Sequence, residues 1–233
     1  MSDAVARATE AEAPAPASRP AAAPPPVAVS ATRLVVTLGA AGAVAGLLLV
    51  FAFGWTLPSI EANRARALHH AISEVLKGPE RYETLYVVNG GLTRQLPAGA
   101  EPRKLEQVYL GYAKDGQRIG FAVVAADAGF QDVIRLIFGF DPRTGQVLGI
   151  KVLESKETPG LGDKIEKDAA FVGQFAGARP PLTGVKRGKR SGPGEIDMIT
   201  GATISSRATV RIINGAVERW RPLMEAYGEG GKG

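Results

Sequence analysis

The hydrophobic positions divide the chain into one long uncharged stretch, a helical segment, a series of short strands and two further helices. Residues 34–57 carry no charge and are rich in Leu, Val, Ala and Gly. At ~1.5 Å per residue, a helix of this length crosses the ~30 Å hydrocarbon core of a bilayer. Aromatic residues crowd its C-terminal end, where the membrane interface favours them. The stretch is too long for a signal peptide and lacks an amphipathic pattern. We predict a transmembrane helix over residues 34–57.

The next segment has apolar residues at helical spacing. Leu68, Ile72, Val75 and Leu76 share one helix face, and Gly-Pro at 78–79 ends the pattern. We predict a juxtamembrane helix over residues 58–78 with this face buried. Its adjacent histidines, at 69 and 70, cannot share a face, so we interpret them as solvated surface and predict no metal site.

Short strands and then helices follow along the chain. Strand patterns at residues 107–113 and 118–126, and at 133–140 and 146–154, flank two tight turns, which predicts antiparallel hairpins. Helical patterns cover residues 164–175, with Ile165, Ala169, Val172 and Phe175 on one face, and 206–224, with Val210, Ile213, Val217 and Trp220 on one face. Strands first and helices later indicate an α+β fold: a single N-terminal transmembrane helix followed by an antiparallel-sheet domain with packed helices.

This pattern gives a domain over residues 79–226. The Ala/Pro-rich residues 1–33 contain few large apolar side chains, so we predict a disordered tail there. Residues 227–233 are predicted to be a short flexible tail.

Charge and composition narrow the classes of function. The 233 residues carry a formal charge of +5 and no cysteine. The charge is too small, and too little interleaved with aromatic residues, to indicate a nucleic-acid partner. The lack of cysteine excludes disulfides and thiolate metal sites within this chain. Basic residues flank the transmembrane stretch on both sides, so the positive-inside rule does not place the N-terminus in the cytoplasm and leans slightly the other way.

Two glycine-containing loops, each leading into a helix, are the candidate sites for chemistry. Residues 157–164 read Glu-Thr-Pro-Gly-Leu-Gly-Asp-Lys, and residues 197–203 read Asp-Met-Ile-Thr-Gly-Ala-Thr. The second loop places the Thr203 hydroxyl where a helix begins, and free backbone N–H groups at such a point can hold a phosphate. Gly201 and Ala202 leave space for a planar group.

Each loop alone is equally typical of an ordinary capped connection, with Asp163 as one helix N-cap and Ser205 or Ser206 as the other. Neither loop has the residue pattern of a hydrolase, a kinase or a nicotinamide site. A basic run at residues 186–190 is interpreted as a solvated loop, with contact to lipid headgroups or to an acidic partner as the alternative.

Taken together, the two loops in this order behind an apolar helix resemble the G subunit of the Rnf (Rsx) ion-translocating electron-transport complex, over roughly residues 34–224. They are also similar to the C subunit of the sodium-pumping NADH:quinone reductase. The Asp-Lys-Ile sequence at 163–165 and the Gly-Phe pair at 129–130 favour the Rnf side.

The resemblance implies an FMN joined covalently to Thr203 by a phosphoester bond, which a separate flavin transferase makes from FAD. It implies that Thr200, Gly201 and Ala202 line the attachment and that Glu157, Thr158 and Leu161 lie against the flavin. Asp197 would be recognised by the transferase, and no catalytic residue is expected.

By the same resemblance, the chain is a flavoprotein subunit that relays electrons, as part of ferredoxin–NAD oxidoreduction coupled to ion translocation. Its partners would be the other Rnf-type subunits, the transferase and the lipid bilayer. It would cross the bacterial inner membrane once, with its N-terminus cytoplasmic and its FMN domain periplasmic, against the lean of the charges. A C-type subunit of the sodium-pumping reductase, a stand-alone periplasmic flavin carrier and a cofactor-free membrane-tethered adaptor are the alternatives.

Overall fold

The computed structural model describes residues 30–97, 99–102 and 105–230. All but the last four residues of the predicted disordered tail, and residues 231–233 at the other end, lie outside this part of the chain. The protein divides into two compact units, Met1–Thr56 and Leu57–Gly233.

The first helix, α1, runs from Ala31 to Val75 without a break, with Pro58 inside it. The predicted transmembrane and juxtamembrane segments are therefore parts of one helix. Among the described residues, α1 is the one helix long and apolar enough to cross a membrane, and its most apolar stretch is exposed. Exposed apolar side chains over such a length are what a lipid-facing helix requires.

The second unit is built on a six-stranded antiparallel sheet, in which each predicted hairpin forms. The strand order is β2-β1-β3-β4-β5-β6. The strands are β1 Arg81–Val88, β2 Gly91–Thr93, β3 Gln107–Tyr112, β4 Arg118–Ala128, β5 Val133–Asp141 and β6 Gln146–Glu154. Two short strands, β7 Thr183–Val185 and β8 Glu195–Asp197, form a separate parallel pair.

Helices cover both faces of the large sheet. Because side chains alternate along a strand, Phe138 of β5 belongs to the main core under the last helix, whereas its neighbour Ile137 belongs to a second cluster with Ile72 of α1. The last helix, α4, runs from Thr203 to Gly230. The predicted buried faces of α1 and α4 are confirmed, except that Leu68 is only partly buried.

The prediction of one continuous helix over residues 164–175 is wrong, although both halves contain helix. The segment is split into α2, Lys164–Lys167, and α3, Ala169–Gly173. Asp168 between them is extended, and its carboxylate accepts hydrogen bonds from the amides of Ala170 and Phe171, at 2.9 and 3.3 Å. This N-cap begins a second helix, in which Phe171 is buried and Ala169 is exposed.

The structure adds elements at both ends of the domain. The β1–β2 hairpin, which was not predicted, turns at Asn89 and Gly90, with φ values of 50° and 77°. Helix α4 continues past residue 226, where the domain was predicted to end. Tyr227 packs edge-on against Phe121 at a ring separation of 6.5 Å, so core contacts hold this last turn in place.

Candidate functional site

A cleft of about 340 Å³ opens where three segments of the second unit meet. The segments are the turn before β5, the loop before α2 and the first turn of α4. The lining residues are Phe130, Glu157, Thr158, Leu161, Gly162, Gly201, Ala202, Thr203, Ile204 and Ser205. The volume lies at the lower end of the range for small-ligand sites.

The two glycine-containing loops therefore converge on one cleft. Six of the seven predicted site residues line it, and the seventh, Thr200, is exposed outside it. A larger cleft, of about 500 Å³, lies between β4 and α4. Ion pairs from Arg211 to Asp127 and from Arg219 to Glu106 cross between its walls, and neither glycine loop reaches it.

Thr203 is the first residue of α4, and it is exposed. The turn that leads to it uses a left-handed backbone at Gly201, with φ of +85°, a conformation that glycine adopts without steric cost. The amide of Ser206 donates to the Ala202 carbonyl at 2.9 Å and starts the helical pattern. The amides of Thr203, Ile204 and Ser205 have no acceptor within the helix, so the Thr203 hydroxyl lies beside a helix terminus whose N–H groups can hold an anion.

Three large apolar side chains form an exposed rim around this hydroxyl. Phe130, Leu161 and Ile204 expose 64%, 48% and 52% of their surface. They come from three different segments of the chain, although most large apolar residues of this unit are buried. An exposed apolar rim suits a planar apolar group, and the helix terminus beside it suits an anionic one.

Glu157 lies at the base of the cleft with only 5% of its surface exposed. Its Oε1 accepts hydrogen bonds from the backbone amides of Phe130, at 2.8 Å, and Gln131, at 3.1 Å. Its Oε2 accepts a hydrogen bond from Ser205 Oγ at 2.5 Å. One carboxylate thus joins all three segments that form the cleft.

These contacts keep the carboxylate ionised. Burial raises the pKa of Glu157, but hydrogen bonds from Ser205 Oγ and from backbone amides outweigh burial and hold the pKa below its ordinary value of 4.5. The positive end of the α4 dipole acts in the same direction. Glu157 is therefore a buried anion at neutral pH.

Two glycines leave the space that this carboxylate fills. A Cβ atom at Gly162 would lie 2.7 Å from Glu157 Cβ and 2.8 Å from its Oε2. A Cβ atom at Gly129 would collide with Glu157 Oε1 and lie 2.7 Å from Ile134 Cδ1. All these distances are shorter than ordinary van der Waals contact. Neither Gly162 nor Gly129 could therefore carry a side chain next to the Glu157 carboxylate.

Asp197 lies outside the cleft, in β8. Its backbone amide donates to Gln174 Oε1 at 2.7 Å, and its carboxylate accepts from the Lys189 amide at 3.3 Å. This residue, predicted as a recognition element, thus also anchors the basic run at residues 186–190, whose side chains are exposed.

The predicted caps have other partners. Asp163 makes no capping hydrogen bond and pairs with Lys167 at 2.7 Å. Ser205 donates to Glu157, while Ser206 Oγ accepts from the Ile199 amide at 3.2 Å. Both serines lie inside the first turn of α4, where they fix it to the loops around it.

Sequence patterns did not indicate Gln131 and Ile204 as site residues. Gln131 Oε1 accepts a hydrogen bond from the Thr158 hydroxyl at 3.2 Å, across 27 positions of sequence. No local sequence pattern indicates a contact over this separation. For Ile204, its position directly after Thr203 was the available signal. Within the described ranges, no group of three or more His, Cys, Asp or Glu side chains could hold a metal ion.

The segment that contains the cleft is similar to a known protein family. The model of the FMN-binding domain family matches residues 129–218, which include every residue lining the cleft. The G subunit of the ion-translocating oxidoreductase complex of Methanosarcina acetivorans is 30% identical over 187 residues, covering 80% of this chain and 93% of that one.

Two further proteins are similar to this chain. The G subunit of the Na⁺-translocating ferredoxin:NAD⁺ oxidoreductase complex of Acetobacterium woodii is 32% identical over 126 residues, covering 53% of this chain and 59% of that protein. The crystal structure of NqrC from Shewanella oneidensis superposes with a TM-score of 0.59, covering 71% of this chain and 99% of that one, at 14% identity. The latter similarity concerns the fold alone.

Proposed function

The chain belongs to the family of G subunits of ion-translocating oxidoreductase complexes, and we propose that it serves as a membrane-anchored flavoprotein subunit that relays electrons through FMN joined to Thr203. The observation that carries this proposal is the exposed Thr203 hydroxyl at the α4 terminus, inside a cleft rimmed by apolar side chains. The electron relay is part of ferredoxin–NAD oxidoreduction coupled to ion translocation.

The residues of the cleft fit FMN. The free amides at the start of α4 suit its phosphate, and the rim of Phe130, Leu161 and Ile204 suits a flat apolar ring. FMN, when bound, supplies one- and two-electron redox chemistry. The chain's own residues would hold the ring at the rim and fix the point of attachment at Thr203.

A covalent bond at Thr203 accounts for the site's open form. A cleft of about 340 Å³ with an exposed rim would enclose a cofactor incompletely, and non-covalent burial would be small. A phosphoester bond, made by a flavin transferase from FAD, prevents dissociation through repeated redox cycles. The exposure of Thr203 gives such an enzyme access to the hydroxyl.

Flavin retention after denaturation tests the proposal. The full chain is co-expressed with a flavin transferase, denatured, and inspected for flavin fluorescence that migrates with the polypeptide. We expect fluorescence in the wild type and in T183A, an exposed threonine outside the cleft, and none in folded T203A. Covalent flavin that survives T203A contradicts the proposal.

We further propose that α1 anchors the chain in the bacterial inner membrane, with its N-terminus cytoplasmic and residues 79–226 periplasmic among the other subunits of an Rnf-type complex. The long apolar helix near the N-terminus supports the anchor. A reporter that is active only in the periplasm, fused to the C-terminus, tests the orientation. A well-expressed but inactive fusion contradicts it.

A further inference from the structure

We propose that Glu157 is a positioning residue for the attachment of the cofactor: its carboxylate fixes the first turn of α4, and with it Thr203, against the turn that carries Phe130. The inference rests on the proposed function, because the role is defined by what happens at Thr203. It differs from a direct contact with the flavin, since both carboxylate oxygens already accept hydrogen bonds from the protein.

The first link runs to the turn before β5. The amides of Phe130 and Gln131 both donate to Oε1. The same turn is closed by the Gly129 amide, which donates to the Asp132 carbonyl at 2.8 Å. Glu157 therefore fixes the segment from which the Phe130 ring projects into the rim of the cleft.

The second link runs to the helix terminus. Ser205, whose hydroxyl donates to Oε2, lies two residues after Thr203 in the same turn and is 2% exposed. Glu157 holds Ser205 on the buried side of the turn, whereas Thr203 is exposed. A shift of this turn would move the Thr203 hydroxyl relative to the rim, and small displacements of a reacting group are costly.

Two substitutions at position 157 separate the effect of the charge from the effect of the hydrogen bonds. A glutamine at 157 can accept both backbone amides with its oxygen and donate from its nitrogen to Ser205 Oγ, which is able to accept as well as donate. Glutamine therefore removes the charge and keeps the links. Alanine removes the links as well.

The experiment compares E157A, E157Q and S205A in the full chain with a matched control, D141N. Asp141 is also 5% exposed and also accepts from a backbone amide, that of Arg143 at 3.0 Å, and from a hydroxyl, that of Thr144 at 3.2 Å. It lies at the β5–β6 turn and does not line the cleft. It reproduces the loss of a buried carboxylate without touching the site.

The first measurement is amide hydrogen exchange on the chain without cofactor. In E157A we expect the Phe130 and Gln131 amides, and the Ser206 amide that closes the first turn of α4, to exchange about tenfold faster, the effect of losing hydrogen bonds to a charged group. In E157Q and D141N these segments should exchange as in the wild type. Unchanged exchange in folded E157A overturns the inference.

The second measurement is the rate at which the flavin transferase loads the chain from FAD. We expect loading about tenfold slower in E157A, recovery to within about threefold in E157Q, and a smaller decrease in S205A, which loses one link. D141N should load as the wild type does.

If E157A loads at the wild-type rate, or E157Q is as slow as E157A, the positioning role is wrong. A wild-type chain that takes up no flavin refutes the proposed function instead, and the wild-type control separates the two failures.

Discussion

Gly162 lines the cleft at a point where no space remains for a side chain. A methyl group there would press against the Glu157 side chain and lie 3.1 Å from Ser205 Oγ. We expect G162A to lower the free energy of unfolding by ~1–3 kcal/mol, the usual cost of overpacking.

Chemical denaturation of the full chain in detergent measures this loss. G173A is the matched control, since a Cβ at Gly173 in α3 meets no atom within 4 Å, and alanine favours a helix. The control should be neutral or stabilised by about 0.5 kcal/mol. Equal losses in both variants would contradict the packing described around Glu157.

Glu157 also predicts a pH dependence. Its pKa is lowered in the folded chain, so it binds protons more weakly there than in the unfolded chain. Its contribution to stability is complete above the unfolded pKa, near 4.5, and is lost as the pH falls through the lower folded pKa. The wild type should therefore lose stability on acidification faster than E157Q does.

Denaturant unfolding of both proteins from about pH 6 to about pH 3 measures the difference, which belongs to Glu157 because all other carboxylates are shared. We expect the wild-type advantage to be constant at the upper end and to shrink below about pH 4.5. A difference that does not change with pH would mean that the pKa of Glu157 is the same in the folded and the unfolded chain.

At the scale of elements, the C-terminal end of α1 acts as part of the sheet domain. Ile72 is fully buried and clusters with Tyr109, Ala122 and Ile137 on the sheet face opposite α4. We expect I72A to cost ~2–5 kcal/mol of unfolding free energy, as large-to-small core substitutions do.

I60A in the same helix, where the isoleucine is 38% exposed, is the control and should cost under about 1 kcal/mol. Thermal or denaturant unfolding in detergent distinguishes the two variants. Equal effects would show that the last turns of α1 do not belong to the core.

Elements with a strong periodic pattern could be predicted from the sequence, and elements set by a single side chain could not. The hairpins around the turns at 114–117 and 141–145 and the face of α4 follow from alternation and helical spacing. The split between α2 and α3 depends on the hydrogen bonds of one side chain, that of Asp168. The Asn89-Gly90 turn carries a hairpin signal that the sequence interpretation overlooked.

The same contrast holds for the site. Thr203, Gly201 and Ala202 are neighbours, so a local motif indicated them. The links that assemble the cleft join Glu157 to Phe130 and Ser205 across 27 and 48 positions. Such contacts exist only once the sheet has brought the segments together.

At the scale of the whole molecule, the apolar half of α1 is the segment that we propose anchors the chain in the membrane. Leu47 lies in the middle of the uncharged stretch and is 73% exposed. We expect L47K to weaken membrane insertion, because a lysine at the centre of a spanning helix costs ~2.5–3.5 kcal/mol.

The fraction of protein that stays with membranes after an alkaline wash measures this effect. L34K is the control, since residue 34 lies beside Arg33 at the end of the stretch, where a lysine can reach the interface. Retention of all three proteins to the same extent would contradict the anchor.

The crowding of Glu157 between two glycines also constrains how this site can evolve. An alanine at 162 would meet the Cβ of residue 157 at 2.7 Å as well as Glu157 Oε2. Aspartate and glutamine carry the same Cβ, so replacing the acid at 157 by either residue does not make room for an alanine at 162. Among descendants of this sequence we therefore expect position 162 to remain glycine even where residue 157 changes.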